Sequence, residues 1–99
     1  MKNFHVHRSP GSNGHSKPGF PLVFDLKVIV DNQHPEEYSR AHLRTLFSQL
    51  EIPNTNWRSR LSAEGKYISF TIEVFVKTDE MMKKLYADLK TLPGIKLAL

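Results

Sequence analysis

Cysteine is missing from this 99-residue chain. Its absence excludes a disulfide framework, a thiolate metal site and a cysteine nucleophile, and it fits a reducing compartment. Long apolar runs are missing too. No stretch approaches the roughly 20 residues that a membrane-spanning helix needs. The opening MKNFHVHRSPGSNGHSKPG also lacks the continuous apolar segment of a secretory signal. Acid is absent from residues 1–20, where Lys2, Arg8 and Lys17 stand alone. The formal net charge is +4, so the rest of the chain carries only +1. A nucleic-acid-binding domain bears its electrostatic footprint on the folded part. Here the footprint sits in the terminal segment, which argues against nucleic acid as the folded part's partner and leaves weak binding through the basic tail as an alternative.

What is present suits one globular domain: 39% of residues are hydrophobic and 24% charged. Residues 1–19 are rich in Ser, Gly, Pro, Asn and His, with only Phe4 and Val6 as apolar bulk. Such a segment cannot bury enough surface to offset chain entropy and is predicted to be a disordered tail. The folded domain is predicted over residues 20–99.

PLVFDLKVIV alternates with the period of a strand. Leu22, Phe24, Leu26, Val28 and Val30 share one apolar face; Val23, Asp25, Lys27 and Ile29 share the other. Pro35, Glu36 and Glu37 then open a helix. Its stripe is Leu43, Leu46, Phe47 and Leu50, with Glu36 and Arg40 paired on the exposed side. Pro53 stops it. A hairpin follows, turning at Ala63-Glu64-Gly65-Lys66. Its second arm puts Ile68, Phe70, Ile72, Val74 and Val76 on one face, and Tyr67, Ser69, Thr71, Glu73, Phe75 and Lys77 on the other. Thr78 caps a second helix carrying Met82, Leu85, Tyr86, Leu89 and Leu92, with Asp79–Lys83 and Glu80–Lys84 pairs. Pro93-Gly94 ends it, and IKLAL is a short last strand.

The order β-α-β-β-α-β, with right-handed crossovers, predicts an α+β ferredoxin-like sandwich: a four-stranded antiparallel sheet in the order 4-1-3-2 with both helices on one face. The second strand, at an edge, carries Arg58 and Arg60, charges that discourage edge-to-edge association.

The chemistry-bearing residues assemble no catalytic set. An RNA-recognition sheet needs stacking aromatics two residues apart on its open face; here Tyr67 is followed by Ser69 and Thr71, and Phe70 points to the core. An acylphosphatase-type loop needs an arginine after the first strand. Asp31-Asn32-Gln33-His34 has none and reads as a loop whose polar side chains cap the helix. His5, His7 and His15 make a poor zinc set without cysteine or acid. His34 reads as a turn residue, and His42 as a boundary histidine with a satisfied ring nitrogen. Ser39 and His42 are helical neighbours without an orienting acid. Asp25 and Glu73 share the open face with Lys27, a pattern of cross-strand ion pairing. Arg58 and Arg60 could receive an anion or simply protect the edge. No catalytic residue, metal or cofactor is assigned. The candidate interaction surface is Lys27, Ile29, Arg58, Arg60, Tyr67 and Phe75, with Val23 as a further apolar member.

Several of these residues, in their order and spacing, resemble the YbeD-like family of small uncharacterised bacterial proteins. They are Phe20-Pro21-x-x-Phe24-x-x-Lys27-Val28, Ser62-x-x-Gly65-x-Tyr67-x-Ser69 and Leu85-Tyr86-x-x-Leu89, followed by the short apolar last strand. The resemblance spans residues 20–99. It implies an ACT-like ferredoxin fold in a cytoplasmic bacterial protein, with no established enzyme activity. The family often has a glycine where this chain has Val30. The expectation is a non-catalytic regulatory or protein-interaction module, with an unknown protein partner or a second copy in a homodimer. A small-metabolite-sensing ACT-like domain is the alternative.

Overall fold

In the computed structural model the described residues are 19–99. The tail expected over residues 1–19 lies outside them apart from Gly19, as do His5, His7 and His15. The element order is β1 (Leu22–Asp31), α1 (Glu36–Leu50), β2 (Asn54–Leu61), β3 (Tyr67–Val76), α2 (Asp79–Leu89) and β4 (Ile95–Ala98). The strands form one antiparallel sheet in the order β2-β3-β1-β4. Fold, strand order and edge placement are those expected from the pattern.

Alternation becomes core because β1 and β3 pair in register over their full lengths, Leu22 opposite Val76 through Asp31 opposite Tyr67. Matching parity puts Leu26, Val28 and Val30 beside Phe70, Ile72 and Val74, all 0–1% exposed. α1 closes over them with Leu43, Leu46 and Phe47, and α2 with Met82, Leu85 and Leu89. Such burial contributes ~1.5–3 kcal/mol for each large aliphatic or aromatic side chain.

Helix ends depart from the expected detail. Pro35 is the N-cap of α1 rather than its first residue, and no side chain caps that end. The helix closes with Glu51 in the left-handed region (φ 57), and the Ile52 amide donates to the Phe47 carbonyl at 2.9 Å. That is the Schellman arrangement, usually given to glycine. Thr78 caps α2 as expected, its hydroxyl accepting from the Met81 amide at 3.1 Å. α2 ends at Leu89; Leu92 is buried but lies in the connection to β4. Gly94 (φ 76) is packed so closely that a Cβ there would lie 2.8 Å from the Asp31 carboxylate.

Candidate functional site

With both helices on one side, the other side of the sheet is open, and strand parity decides what it shows. Register pairs Val23 with Phe75, Asp25 with Glu73, Lys27 with Thr71 and Ile29 with Ser69 across β1 and β3. β2 adds Arg58 opposite Thr71 and Arg60 opposite Ser69. All six residues of the expected surface (Lys27, Ile29, Arg58, Arg60, Tyr67 and Phe75) therefore lie on this face. Ile29 and Phe75 are half-buried; the other four are exposed.

β4 enlarges the patch beyond that expectation. Leu97 pairs with Ile29, and Leu99 exchanges both backbone hydrogen bonds with Lys27 at 3.2 and 2.8 Å. Both leucines therefore share the open face, exposed by 46% and 40%. The alternation of IKLAL holds this signal, but only its register against β1 says which face the leucines take. Val23, Tyr67, Leu97 and Leu99 are four of the six large apolar side chains exposed among the described residues. They share one face, with Val23 at one end of the β1–β3 pair, Tyr67 at the other, and Leu97 and Leu99 along the β4 side; several large apolar groups on one face are a feature of interaction surfaces.

The charges of this face are arranged differently from the expectation. Asp25 and Glu73 are direct cross-strand neighbours, a repulsive pairing on its own. Arg58, not Lys27, relieves it: its guanidinium donates to Asp25 at 3.2 Å. Arg58 also donates to its own strand at the Asn56 carbonyl. Among the described residues, Lys27 and Arg60 form no ion pair.

Several other expectations need correction. Glu36 and Arg40 do pair, but not on an exposed surface. Arg40 lies 5.6 Å from the ring centres of both Trp57 and Phe70, and Glu36 accepts from Ser59 at 2.9 Å. The pair clips α1 to edge strand β2. Trp57 reaches the core side because a bulge with Asn56 at φ 55 interrupts β2. There it meets Phe47 and Phe70 edge-on, with ring centres 5.9 and 6.3 Å away. Among the described ion pairs Asp79–Lys83 is present at 3.5 Å, whereas Glu80–Lys84 is not.

The β1–α1 loop does not cap α1. Asn32 instead ties it to the β2–β3 hairpin: its amide side chain donates to Gly65 O at 3.0 Å and its backbone amide to Lys66 O at 2.9 Å. His34 stacks on Tyr38, and Tyr38 on His42, with ring centres 4.2 and 4.5 Å apart. His42 is exposed and its Nδ1 lies 3.0 Å from the Tyr38 carbonyl. Ser39 is buried, so the two do not form a working pair. Burial pushes the Tyr86 hydroxyl up to about 12, so it stays protonated beyond the pH at which an ordinary tyrosine ionises. Among the described residues no group of three or more His, Cys, Asp or Glu could hold a metal ion, and no helix is long and apolar enough to cross a membrane.

Four antiparallel strands under two helices, with the far face of the sheet uncovered among the described residues, define an ACT-like ferredoxin fold. An ACT domain from the GTP pyrophosphokinase of Chlorobium tepidum superposes with a TM-score of 0.63 at 10% identity, over 80% of this chain and 96% of that one. Protein HP0495 from H. pylori gives 0.64 at 15% identity, over 94% and 97%. These likenesses concern the fold alone. Sequence carries the assignment further: residues 16–99 match the family described as "Protein of unknown function (DUF493)". A UPF0250 protein from Shewanella woodyi is 32% identical over 81 residues, covering 81% of this chain and 88% of its own length. The chain belongs to this family, and the YbeD-like resemblance is borne out.

Proposed function

We propose that this protein is a non-catalytic, regulatory interaction module that packs the open face of its sheet against a second copy of itself. The observation that carries the reading is the gathering of Val23, Tyr67, Leu97 and Leu99 on that face.

Size and charge favour a second copy. Strand spacing of ~4.8 Å and a rise of ~3.3 Å per residue give four strands a projected area of roughly 500 Å² before side-chain relief. Interfaces of standard size take ~800 Å² from each partner, so the face is of the right order. A two-fold interface sets the same patch against itself and must therefore be self-complementary. This face carries Lys27, Arg58 and Arg60 together with Asp25 and Glu73, while Ile29, Leu97 and Leu99 lie towards the β4 side. A face of one sign would repel its own copy. Asp25, Lys27, Arg58 and Arg60 are exposed, Glu73 is half-buried, and Arg58 already neutralises Asp25, which supports binding rather than acid–base chemistry.

Sedimentation equilibrium on the full chain across the micromolar range tests this. The expected result is a concentration-dependent dimer that Leu97→Asp and Val23→Asp each dissociate without changing the circular dichroism spectrum. A monomer at every concentration, or a dimer indifferent to both substitutions, overturns the proposal.

A further inference from the structure

On the opposite side of the molecule, α1 and the end of α2 leave a groove of about 480 Å³, within the ~300–1,000 Å³ range of small-ligand sites. Ala41, His42, Thr45, Leu46 and Gln49 line it from α1, and Asp88, Thr91, Leu92 and Pro93 from α2 and the connection to β4. Leu46 and Leu92 are buried and form an apolar floor. The walls are polar, and most of their hydrogen-bonding capacity is unused.

Counting donors and acceptors narrows what could fill it. His42 Nδ1 faces the Tyr38 carbonyl and so carries the ring proton, leaving Nε2 as an acceptor. Thr91 gives its hydroxyl proton to the Asp88 carbonyl at 2.7 Å, leaving only lone pairs. Among the described residues the Asp88 carboxylate has no ion pair or hydrogen bond, and the Thr45 and Gln49 side chains have none either. Thr45 and Gln49 can donate or accept, but the remaining three groups accept only. The groove is therefore short of donors.

Its field has the same bias. Asp88 stands in the last turn of α2, at the negative end of the helix dipole, and no basic residue lies in that turn. Lys84 and Lys90 are nearby in sequence, but both are exposed and neither pairs with Asp88. A carboxylate placed there without a cation is unfavourable to α2 and favourable to a cationic ligand.

We infer that this groove binds a small aliphatic amine. The ammonium pairs with Asp88 and donates to Thr91 Oγ1 and His42 Nε2, while the carbon chain lies on Leu46 and Leu92. The site is independent of the sheet-face interface: it lies across the core, on the helix side.

An amide-resonance NMR titration of the full chain with putrescine, and with succinate of similar length as the anionic control, tests the inference. Expected are saturable putrescine shifts confined to residues 41–49 and 88–93, with none from succinate. Asp88→Asn should weaken the affinity roughly ten-fold or more, as loss of a charge-assisted bond does. Glu80→Gln, on the same helix outside the groove, should leave it unchanged. Absence of saturable shifts, shifts that map elsewhere, or equal weakening by Asp88→Asn and Glu80→Gln would each overturn it. Unchanged amide spectra of the free variants separate loss of binding from loss of fold.

Discussion

The two faces of the sheet are built from alternate residues of the same strands, yet they obey different rules. Phe70 and Phe75 lie five residues apart on β3. Phe70 is fully buried among Ile72, Leu26 and the helices, whereas Phe75 is half-buried on the far side beside Val23. The helix side is apolar along the whole of β1 and β3 and closed by α1 and α2. The open side mixes apolar groups with both signs of charge, the composition of a solvent-facing surface. One residue of register would exchange the two faces, so the full-length pairing of β1 with β3 is what keeps them distinct.

The largest expected effect lies on the closed face. Phe70→Ala should cost ~3–5 kcal/mol in urea unfolding through the cavity it leaves. Phe75→Ala should cost much less, and equal losses would break the distinction between the faces.

Tyr86, on α2 over the closed face, gives the next test. Its hydroxyl keeps its proton to about 12 in the folded protein, whereas an unfolded tyrosine ionises near ~10. Stability is unaffected by this group below pH ~10 and falls as pH rises from there towards 12, because the unfolded state loses its proton first. Thermal melts of Tyr86→Phe should lack that part of the alkaline decline.

Smaller effects follow. Glu51→Gly should stabilise by ~1 kcal/mol, since glycine takes the left-handed conformation without the penalty Glu51 bears. On the open face, Arg58→Ala should cost only ~0.5 kcal/mol at low salt and less at high salt, because the Arg58–Asp25 pair is about half exposed and leaves Asp25 opposite Glu73 when broken. A salt-independent loss above ~2 kcal/mol would mean that this face has a buried, structural role.

Much of this contrast was legible in the sequence because strand parity is a local property. The alternation in residues 21–30 and 67–76 separates core from open face without reference to any neighbour, and the order of elements then leads to the sheet order. What escaped depends on neighbours. Arg40 looks exposed beside the stripe of Leu43, Leu46 and Phe47, and only the bulge at Asn56 brings Trp57 and Ser59 against it. Leu97 and Leu99 join the open face through pairing with β1, which four residues of strand cannot announce. Asn32 reads as a local cap but bonds across 33 residues to Gly65. The groove around Asp88 is invisible in one dimension, since its walls come from α1 and from the far end of α2.

The central claim is that the open face exists to be covered by a second copy, and sedimentation equilibrium of the wild-type chain beside Leu97→Asp tests it most directly. The account predicts a dimer that grows with concentration in the wild type and a folded monomer in the variant. A wild-type monomer throughout, or a variant that dimerises equally well, would contradict it.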